Sequence, residues 1–332
     1  MSETTTKLHD LILGAWGTQA LYVAARLRLA DLLASGLRSS DEIARATGAD
    51  RESLYRVMRY LAGLGILAQT AEDSFILAEL GNLMRSGAQN SARGMALWYG
   101  EVLWPAWGAL FEAVKTGQKG FEIAASRGAA RASDPETAAA LNEFMAEATA
   151  REASAIIDAY DFSRFGTIMD VGGGFGALIT AILTRYRASR GIVFDQSSTR
   201  DGARDYIRSA GVEDQCEVVV GDFFKEVPAG ADLLILKHIM HNWDDDRAQA
   251  VLRNCRRAKR ADVPILIMDM IAPEVMGNSS ADCAAARMDL TMMLGGGRER
   301  TELQFRTLVE GAELRMARIV PTSAMISIVE VC

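Results

Sequence analysis

Histidine is the scarcest residue in this chain that could act as an acid or a base. Only three occur among 332 residues, at His9, His238 and His241. The last two lie in the segment LLILKHIMHNW, whose apolar first half predicts a buried strand. In an open α/β sheet, ligands bind beyond the carboxyl ends of the strands. A histidine there suits general base catalysis, because its pKa lies close to neutral pH. On an extended segment, positions 238 and 241 point to opposite faces. We therefore expect only one of the two to face a pocket.

A glycine-rich segment follows an earlier strand-like run. Its sequence is DVGGGFG, from Asp170 to Gly176. Glycine allows a tight turn and lets a ligand approach the backbone where a Cβ would clash. The spacing Gly172-x-Gly174-x-x-Ala177 also satisfies the relaxed dinucleotide fingerprint, so this loop alone admits NAD.

Two acids follow the next two predicted strands. Asp195 ends GIVFD, where a carboxylate can accept hydrogen bonds from both ribose hydroxyls of an adenosine. Asp222 lies in Gly221-Asp222-Phe223-Phe224, where it can accept from an adenine amino group while Phe223 covers the ring. The three loops together outline an adenosine pocket at one edge of a sheet.

The elements that must position these residues form an alternating pattern from residue 167 onward. Near-continuous apolar strands such as TIMDV, GIVFD and LLILK alternate with amphipathic helices. That pattern is typical of a parallel sheet covered on both faces. We predict an α/β fold with a Rossmann-like, doubly wound, mainly parallel sheet, closed by a final strand pair.

The N-terminal part follows a different pattern. Two short helices and a hairpin over 39–78 follow a long first helix, which is typical of a winged helix. Residues 93–160 are almost wholly helical in pattern. We predict a winged-helix-like domain over 1–92 and a second domain over 93–332. The second comprises a helical, substrate-covering segment at 93–160 and a Rossmann-like core at 161–332.

Composition excludes several classes of protein. The net charge is −7 and the pI is about 5.2, which argues against a nucleic-acid-coating protein. The four cysteines form no CxxC pair, so we expect neither a disulfide scaffold nor a cysteine zinc site, and a reducing compartment fits. No His/Asp/Glu cluster has metal-ligand spacing in the sequence, so we expect that no metal is needed. The sequence shows no signal peptide and no apolar run long enough to span a membrane. We therefore expect a cytoplasmic protein that binds neither nucleic acid nor membrane.

The order of DVGGGFG, VFD, GDFF, LKHIMHNWDDD and GGGRERT resembles one family closely. It is similar to the S-adenosylmethionine (SAM)-dependent O-methyltransferases of the plant natural-product type, including their bacterial relatives in antibiotic and pigment biosynthesis. The resemblance covers nearly the whole chain, because those enzymes also begin with a winged-helix-like dimerisation domain. It implies a homodimeric enzyme. Its reaction would move a methyl group from SAM to a hydroxyl of a small aromatic natural product, releasing S-adenosylhomocysteine (SAH).

The resemblance also implies roles for individual residues. The general base would be His241, oriented by Glu299 and Asp269, and the family places an aromatic residue or a histidine at position 238 as packing. Asn242 and Asp269 depart from the family pattern, which usually has Asp and Glu at these positions. The implied cofactor-binding residues are Gly172, Gly174, Asp195, Gly221, Asp222, Phe223 and Lys237. The implied substrate-binding residues are Met145, Asn242, Met288 and Met292.

Several alternatives stay open at this point. Glu299 could simply pair with Arg298 or Arg300, and Lys237 could reach solvent from the end of its strand. The fold could serve C-methylation, or bind SAM without transferring a methyl group. A ligand-sensing, winged-helix DNA-binding regulator is a further alternative, although acids outnumber basic residues within 1–90.

Overall fold

The computed structural model divides the chain into two compact units. The first unit comprises Met1–Phe111 with Phe121–Glu147, and the second comprises Glu112–Gly120 with Ala148–Cys332. The structure describes residues 2–88, 90–129, 145, 148–149 and 151–332. Much of the helical segment predicted over 93–160 is described, but positions 130–144 lie outside the described residues. The predicted domain boundaries after residues 92 and 160 stay predictions.

Local capping signals set the helices of the first unit. The side chain of Ser39 accepts from the Glu42 N–H while the Glu42 carboxylate reaches back, which forms a capping box. Gly48 ends that helix with a positive φ of 72°, and Asp50 caps the next. The elements are α1 (Glu3–Arg26), α2 (Leu29–Ala34), α3 (Ser40–Thr47), α4 (Arg51–Gly63), β1 (Leu67–Ala71), β2 (Ser74–Leu77), α5 (Glu79–Asn82) and α6 (Arg93–Leu97).

Most of these elements enclose a core in which Met58, Leu61 and Phe75 are fully buried, and a second, smaller cluster includes Leu97 of α6. The strands β1 and β2 pair antiparallel, which completes the predicted helix–turn–helix and hairpin. Further along the chain lie a π-helical turn (Trp98–Leu103), α7 (Trp104–Gly108), α8 (Leu110–Thr116) and α9 (Gly120–Ser126).

The second unit is built on an eight-stranded sheet. Its path is β5-β4-β3-β6-β7-β10-β9, and the short strand β8 pairs with β7. All pairs from β5 to β7 are parallel, whereas β10 runs antiparallel to both of its neighbours. The strands are β3 (Thr167–Val171), β4 (Arg190–Asp195), β5 (Cys216–Val220), β6 (Leu233–Lys237), β7 (Ile265–Ala272), β8 (Arg300–Thr301), β9 (Met316–Pro321) and β10 (Ile326–Val331).

Helices cover both faces of this sheet. The helices are α10 (151–159), α11 (Ala177–Arg185), α12 (Arg200–Ser209), α13 (Asp245–Ala258), α14 (Ser280–Gly295) and α15 (Glu302–Gly311). One core cluster joins α13 and α15 to the sheet, and a second joins α10, α11 and α12 to it. The predicted doubly wound, mainly parallel sheet is therefore confirmed, and the carboxyl ends of β3 to β7 meet at one edge. No helix among the described residues is both long and apolar enough to cross a membrane.

Candidate active site

The glycine loop after β3 takes backbone conformations that favour glycine. Gly172, Gly174 and Gly176 have φ values of 77°, 58° and 79°. A Cβ at Gly172 would collide with the Ile239 side chain, and one at Gly176 would lie 2.9 Å from Val193 Cγ2. Glycine at these two positions therefore lets Ile239 and Val193 pack closely against the loop, whereas the space beside Gly174 is open.

Asp195 ties this loop to the neighbouring strand. The Gly174 N–H donates to Asp195 Oδ2 at 2.7 Å, and the Gln196 N–H donates to Oδ1 at 2.6 Å. Each carboxylate oxygen keeps a further lone pair. Asp195 can thus hold the loop and still accept hydrogen bonds from a ligand.

The loop after β5 presents Asp222 and Phe223. Asp222 Oδ1 accepts from the Phe224 N–H at 2.9 Å, and its side chain is half-buried. The Phe223 ring packs edge-on against Trp243 with the ring centroids 6.4 Å apart. The Asn254 side-chain amide donates to the Phe223 carbonyl at 2.7 Å, which fixes the loop against α13. A Cβ at Gly221 would collide with the Phe194 ring.

Lys237, at the end of β6, does not reach solvent. Its side chain is only 9% exposed, and Nζ lies 2.7 Å from Glu152 Oε2 on α10. Burial raises the pKa of Glu152, but His238 and Lys237 outweigh it and lower that pKa to about 2. Asp170, on β3, is almost fully buried, and burial raises its pKa to about 7 despite the opposing charge of Lys237. A buried network of alternating charges therefore lies at the ends of β3 and β6.

His241 lies just past β6, in a 3₁₀ turn over Met240–Asn242. Its Nδ1 lies 2.9 Å from Glu299 Oε1, and both side chains are buried. The distance from Nδ1 to Asp269 Oδ1 is 3.9 Å, longer than a hydrogen bond. Glu299 therefore contacts the ring directly, whereas the shorter Asp269 does not. With Nδ1–H donating to Glu299, the neutral ring keeps Nε2 as its basic nitrogen.

The expectation that the two histidines point to opposite faces is wrong. The rings of His238 and His241 stack 5.1 Å apart, centroid to centroid, with 17° between their planes. The chain is not extended here, because His238 has a φ of 55° and the 3₁₀ turn follows directly. This left-handed residue redirects the chain and brings both rings together.

The partners of His238 nevertheless distinguish it from His241. His238 Nε2 lies 3.1 Å from both Glu152 oxygens, and Nδ1 lies 3.6 Å from Asp269 Oδ1. Burial lowers the pKa of His238, but the two carboxylates outweigh it and raise that pKa to about 9. His238 is thus protonated at neutral pH and has no free lone pair to accept a proton. The geometry favours His241 as the base.

His238, His241 and Asp269 also form the one group of potential metal ligands found among the described residues, with ligand atoms within 4.8 Å of one another. An imidazole binds a metal through a lone pair in the plane of its ring. The lone pairs of two stacked, nearly parallel rings do not converge on one ion, so we assign no metal. Metal independence stays a prediction, which inhibition by EDTA would contradict.

Two comparisons with protein families cover most of the chain. Residues 107–315 match the model of the O-methyltransferase domain, and residues 9–86 match that of the O-methyltransferase dimerisation domain. The chain belongs to this O-methyltransferase family. The predicted family and enzyme class are confirmed.

This methyltransferase is similar along its length to several bacterial methyltransferases. It is 40% identical to a phenazine O-methyltransferase, PhzM, of Lysobacter antibioticus, over 97% of this chain and 94% of that protein. It is 32% identical to the 8-amino-8-demethylriboflavin N,N-dimethyltransferase of Streptomyces davaonensis, over 93% of this chain and 90% of that one. The crystal structure of NcsB1, from neocarzinostatin biosynthesis, was solved with SAM and 2-hydroxy-5-methyl naphthoic acid. It superimposes with a TM-score of 0.83 at 30% identity, covering 95% of each chain.

The predicted substrate residues of this methyltransferase lie in different surroundings. Met288 and Met292 are half-buried on one face of α14, four residues apart, and Asp289 on that helix accepts from the Glu299 N–H at 2.8 Å. The Asn242 amide donates to the His238 carbonyl at 2.7 Å, so it supports the turn. Met145 belongs to the first unit and is 47% exposed. The substrate-binding roles of all four stay predictions.

Two residues of the site carry no signal in the sequence. Glu152, which joins Lys237 to His238, lies within an ordinary amphipathic helix far from either. The sequence suggests Arg300 only as a partner of Glu299, but its guanidinium lies 2.7 Å from Asp245 Oδ1. Glu299 instead pairs with His241.

Proposed function

We propose that this enzyme transfers the methyl group of SAM to a hydroxyl of a small aromatic natural product, with His241 as the general base. The observation that carries this proposal is the buried His241–Glu299 pair beside the glycine loop. Its histidine lies at the edge of the sheet where the proposed cofactor residues meet, and its Nε2 has no hydrogen-bond partner among the residues that the structure describes.

The residues at the ends of β3 to β6 suit an adenosine with a charged tail. The space where a Cβ of Gly174 would stand is open to a ligand, and Asp195 and Asp222 are half-buried carboxylates with lone pairs to spare. Asp195 would accept from the ribose hydroxyls, and Asp222 would accept from the adenine amino group. When bound, SAM supplies a methyl group that its positive sulfur has already activated.

His241 would act on the acceptor. A phenol has a pKa of about 10, so most of it is protonated at neutral pH. As the phenol oxygen bonds to the methyl carbon, the carbon–sulfur bond breaks with its electron pair on sulfur, and the phenol proton moves to His241 Nε2. Glu299 stabilises the resulting imidazolium through Nδ1–H. Such a base contributes about 10²–10⁴-fold in rate.

We also propose that a second copy of the chain covers α1. The side chains of Leu11, Ile12 and Trp16 are 71%, 64% and 64% exposed, although all three are large and apolar. An apolar face of this kind marks an interaction surface, and it lies within the region that matches the dimerisation domain. Light scattering should give twice 36.0 kDa for the native chain and less for Trp16→Glu. The matched control Leu303→Glu, at a similarly exposed position, should leave the mass unchanged.

One assay tests the reaction. The purified enzyme is incubated with SAM and a panel of phenols, hydroxynaphthoates, anthraquinones and hydroxyphenazines. We expect a product heavier by one methylene, with the new carbon attached to oxygen by NMR. Attachment to nitrogen or carbon would replace the proposed acceptor chemistry, and SAM binding without turnover of any acceptor would contradict it.

Two further properties stay predictions. We expect the protein not to retard random duplex DNA in a gel at low salt, and we expect it to be cytoplasmic.

A further inference from the structure

Arg300 is the largest side chain that the second unit buries completely. It is 1% exposed. Burying a guanidinium is costly unless its charge is paired and its N–H groups are satisfied. Here Nε and Nη2 donate to Asp245 Oδ1 at 2.9 and 2.7 Å, so the charge is paired.

The remaining hydrogen bonds of Arg300 go to the turn that carries His241. Nη1 donates to the Met240 carbonyl at 2.7 Å, and Nη2 donates to the Trp243 carbonyl at 2.8 Å. These two carbonyls flank His241 on both sides. Within the turn, the Met240 carbonyl accepts from the Trp243 N–H at 3.3 Å. The Arg300 guanidinium adds a shorter, charge-assisted donor to that carbonyl, which fixes the backbone there.

The neighbours of Arg300 hold the same turn at other points. The Arg298 N–H donates to the His241 carbonyl at 2.9 Å, and the Glu299 carboxylate meets His241 Nδ1. Gly297 packs so closely that a Cβ would collide with the His241 carbonyl. Residues 297–300, which we call the base clamp, therefore fix both the backbone and the ring of His241.

We propose that Arg300 is a positioning residue that sets the backbone of the His241 turn, so that Nε2 faces the acceptor hydroxyl. The proposal rests on the proposed function of His241. The planar fork of Arg300 reaches two carbonyls and one carboxylate at once, which the single ammonium of lysine cannot do. Arg300→Lys keeps the charge but loses this geometry.

A pair of acceptors separates positioning from general stability. One is a phenol with a pKa near 10, which needs a base, and the other is a nitrophenol that is already ionised at the assay pH. Because misplacement of about 1 Å costs about 10²-fold, we expect Arg300→Lys to lower kcat about 10–100-fold with the first acceptor. The loss should be less than about threefold with the second, and the Kd for SAH should not change. Arg260→Lys, which alters an exposed ion pair to Asp232 at 2.9 Å, is the matched control and should behave as the native enzyme.

Nuclear magnetic resonance gives a second readout that needs no turnover. With only three histidines, the ¹⁵N-labelled rings can be assigned, and His241→Ala identifies the His241 Nδ1–H signal. This signal should be lost or shifted upfield in Arg300→Lys, as in Glu299→Gln, and kept in Arg260→Lys. Should Arg300→Lys not fold, Asp245→Asn weakens the same anchor at a half-exposed side chain and should give the same pattern.

Equal losses with both acceptors, or an unchanged Nδ1–H signal, would overturn the proposal. A native enzyme that turns over no acceptor would instead contradict the proposed function, and the Nδ1–H signal would still decide the role of Arg300.

Discussion

Two regions on the same sheet are assembled in different ways. One is the proposed cofactor edge, with Gly174, Asp195 and Asp222 at the ends of β3, β4 and β5, and the other is the base clamp. At the cofactor edge, each side chain lies at or directly after the end of its own strand, and neighbouring strands supply the contacts, as in the Gly174–Asp195 hydrogen bond. His241, the proposed base, is held by groups from distant segments, with Glu299 lying 58 positions beyond it. The first arrangement follows from strand order, whereas the second exists only in the folded chain.

Variants in the two regions should lose different properties, kcat in one region and SAH affinity in the other. The largest effect is expected for replacement of His241, the proposed base. His241→Ala should lower kcat by about 10²–10⁴-fold at neutral pH, because the acceptor then loses its proton without help. The Kd for SAH, measured by calorimetry, should stay nearly unchanged, because the adenosine contacts lie elsewhere. If His238→Gln lost more activity than His241→Ala, the assignment of the base would be wrong.

The opposite behaviour is expected at the cofactor edge. Asp195→Ala removes the proposed hydrogen bonds to ribose and the contact that holds Gly174. Because hydrogen bonds to a charged group contribute about 1.5–3 kcal/mol each, the loss of two should raise the Kd for SAH about 10²–10⁴-fold. The kcat at saturating SAM should change far less. Asp214→Ala, at an exposed acid in the same unit, serves as the control. An unchanged Kd in Asp195→Ala would contradict the adenosine site.

The distance of each acid from His241 should rank the effects of replacing Glu299 and Asp269. Glu299→Gln keeps the shape but weakens the orientation of the ring, so kcat should fall about 10-fold, less than in His241→Ala. Asp269→Asn should have a smaller effect on kcat, because Asp269 lies 3.9 Å from His241 Nδ1 rather than 2.9 Å. Steady-state kinetics of both variants would reveal the reverse order if Asp269 were the main orienting group.

The smallest expected effect concerns the Glu152–His238 pair, which lies between the two regions. The pKa of His238 is raised to about 9, so its contribution to stability is complete below the unfolded pKa of about 6.5 and is lost as the pH rises through 9. The pKa of Glu152 is lowered to about 2, so its contribution is complete above the unfolded value and is lost only in acid.

The melting temperature should report this pH dependence. The difference between the native enzyme and Glu152→Gln should be largest between about pH 5 and 6.5 and should shrink toward pH 9.5. Part of it should persist, because Lys237 also pairs with Glu152 and stays charged. The exposed control Glu226→Gln should show no such trend, and a difference that grew with pH would contradict the charge assigned to His238.

The sequence predicts most of the fold and of the cofactor edge because both depend on local signals. Apolar runs, glycine clusters and acids at the ends of predicted strands can be recognised in short stretches of sequence. The order of the strands in the sheet then brings these residues together. The sequence wrongly predicts that His238 and His241 point to opposite faces, whereas their rings stack on each other. No sequence pattern indicates that a histidine after a strand takes a left-handed conformation. Glu152 and Arg300 were missed for a related reason. Their partners are side chains and main-chain carbonyls remote in sequence, so only the folded chain shows the pairing.

The pH dependence of the rate tests the role of His241 most directly. The measured quantity is the ratio of kcat for the native enzyme to kcat for His241→Ala, with a phenol of pKa near 10, between about pH 6.5 and 9.5. If His241 takes the proton, the rate of the variant rises about tenfold per pH unit as phenolate forms, so the ratio falls steadily toward the pKa of the acceptor. A ratio that stays constant over this range would contradict His241 as the general base.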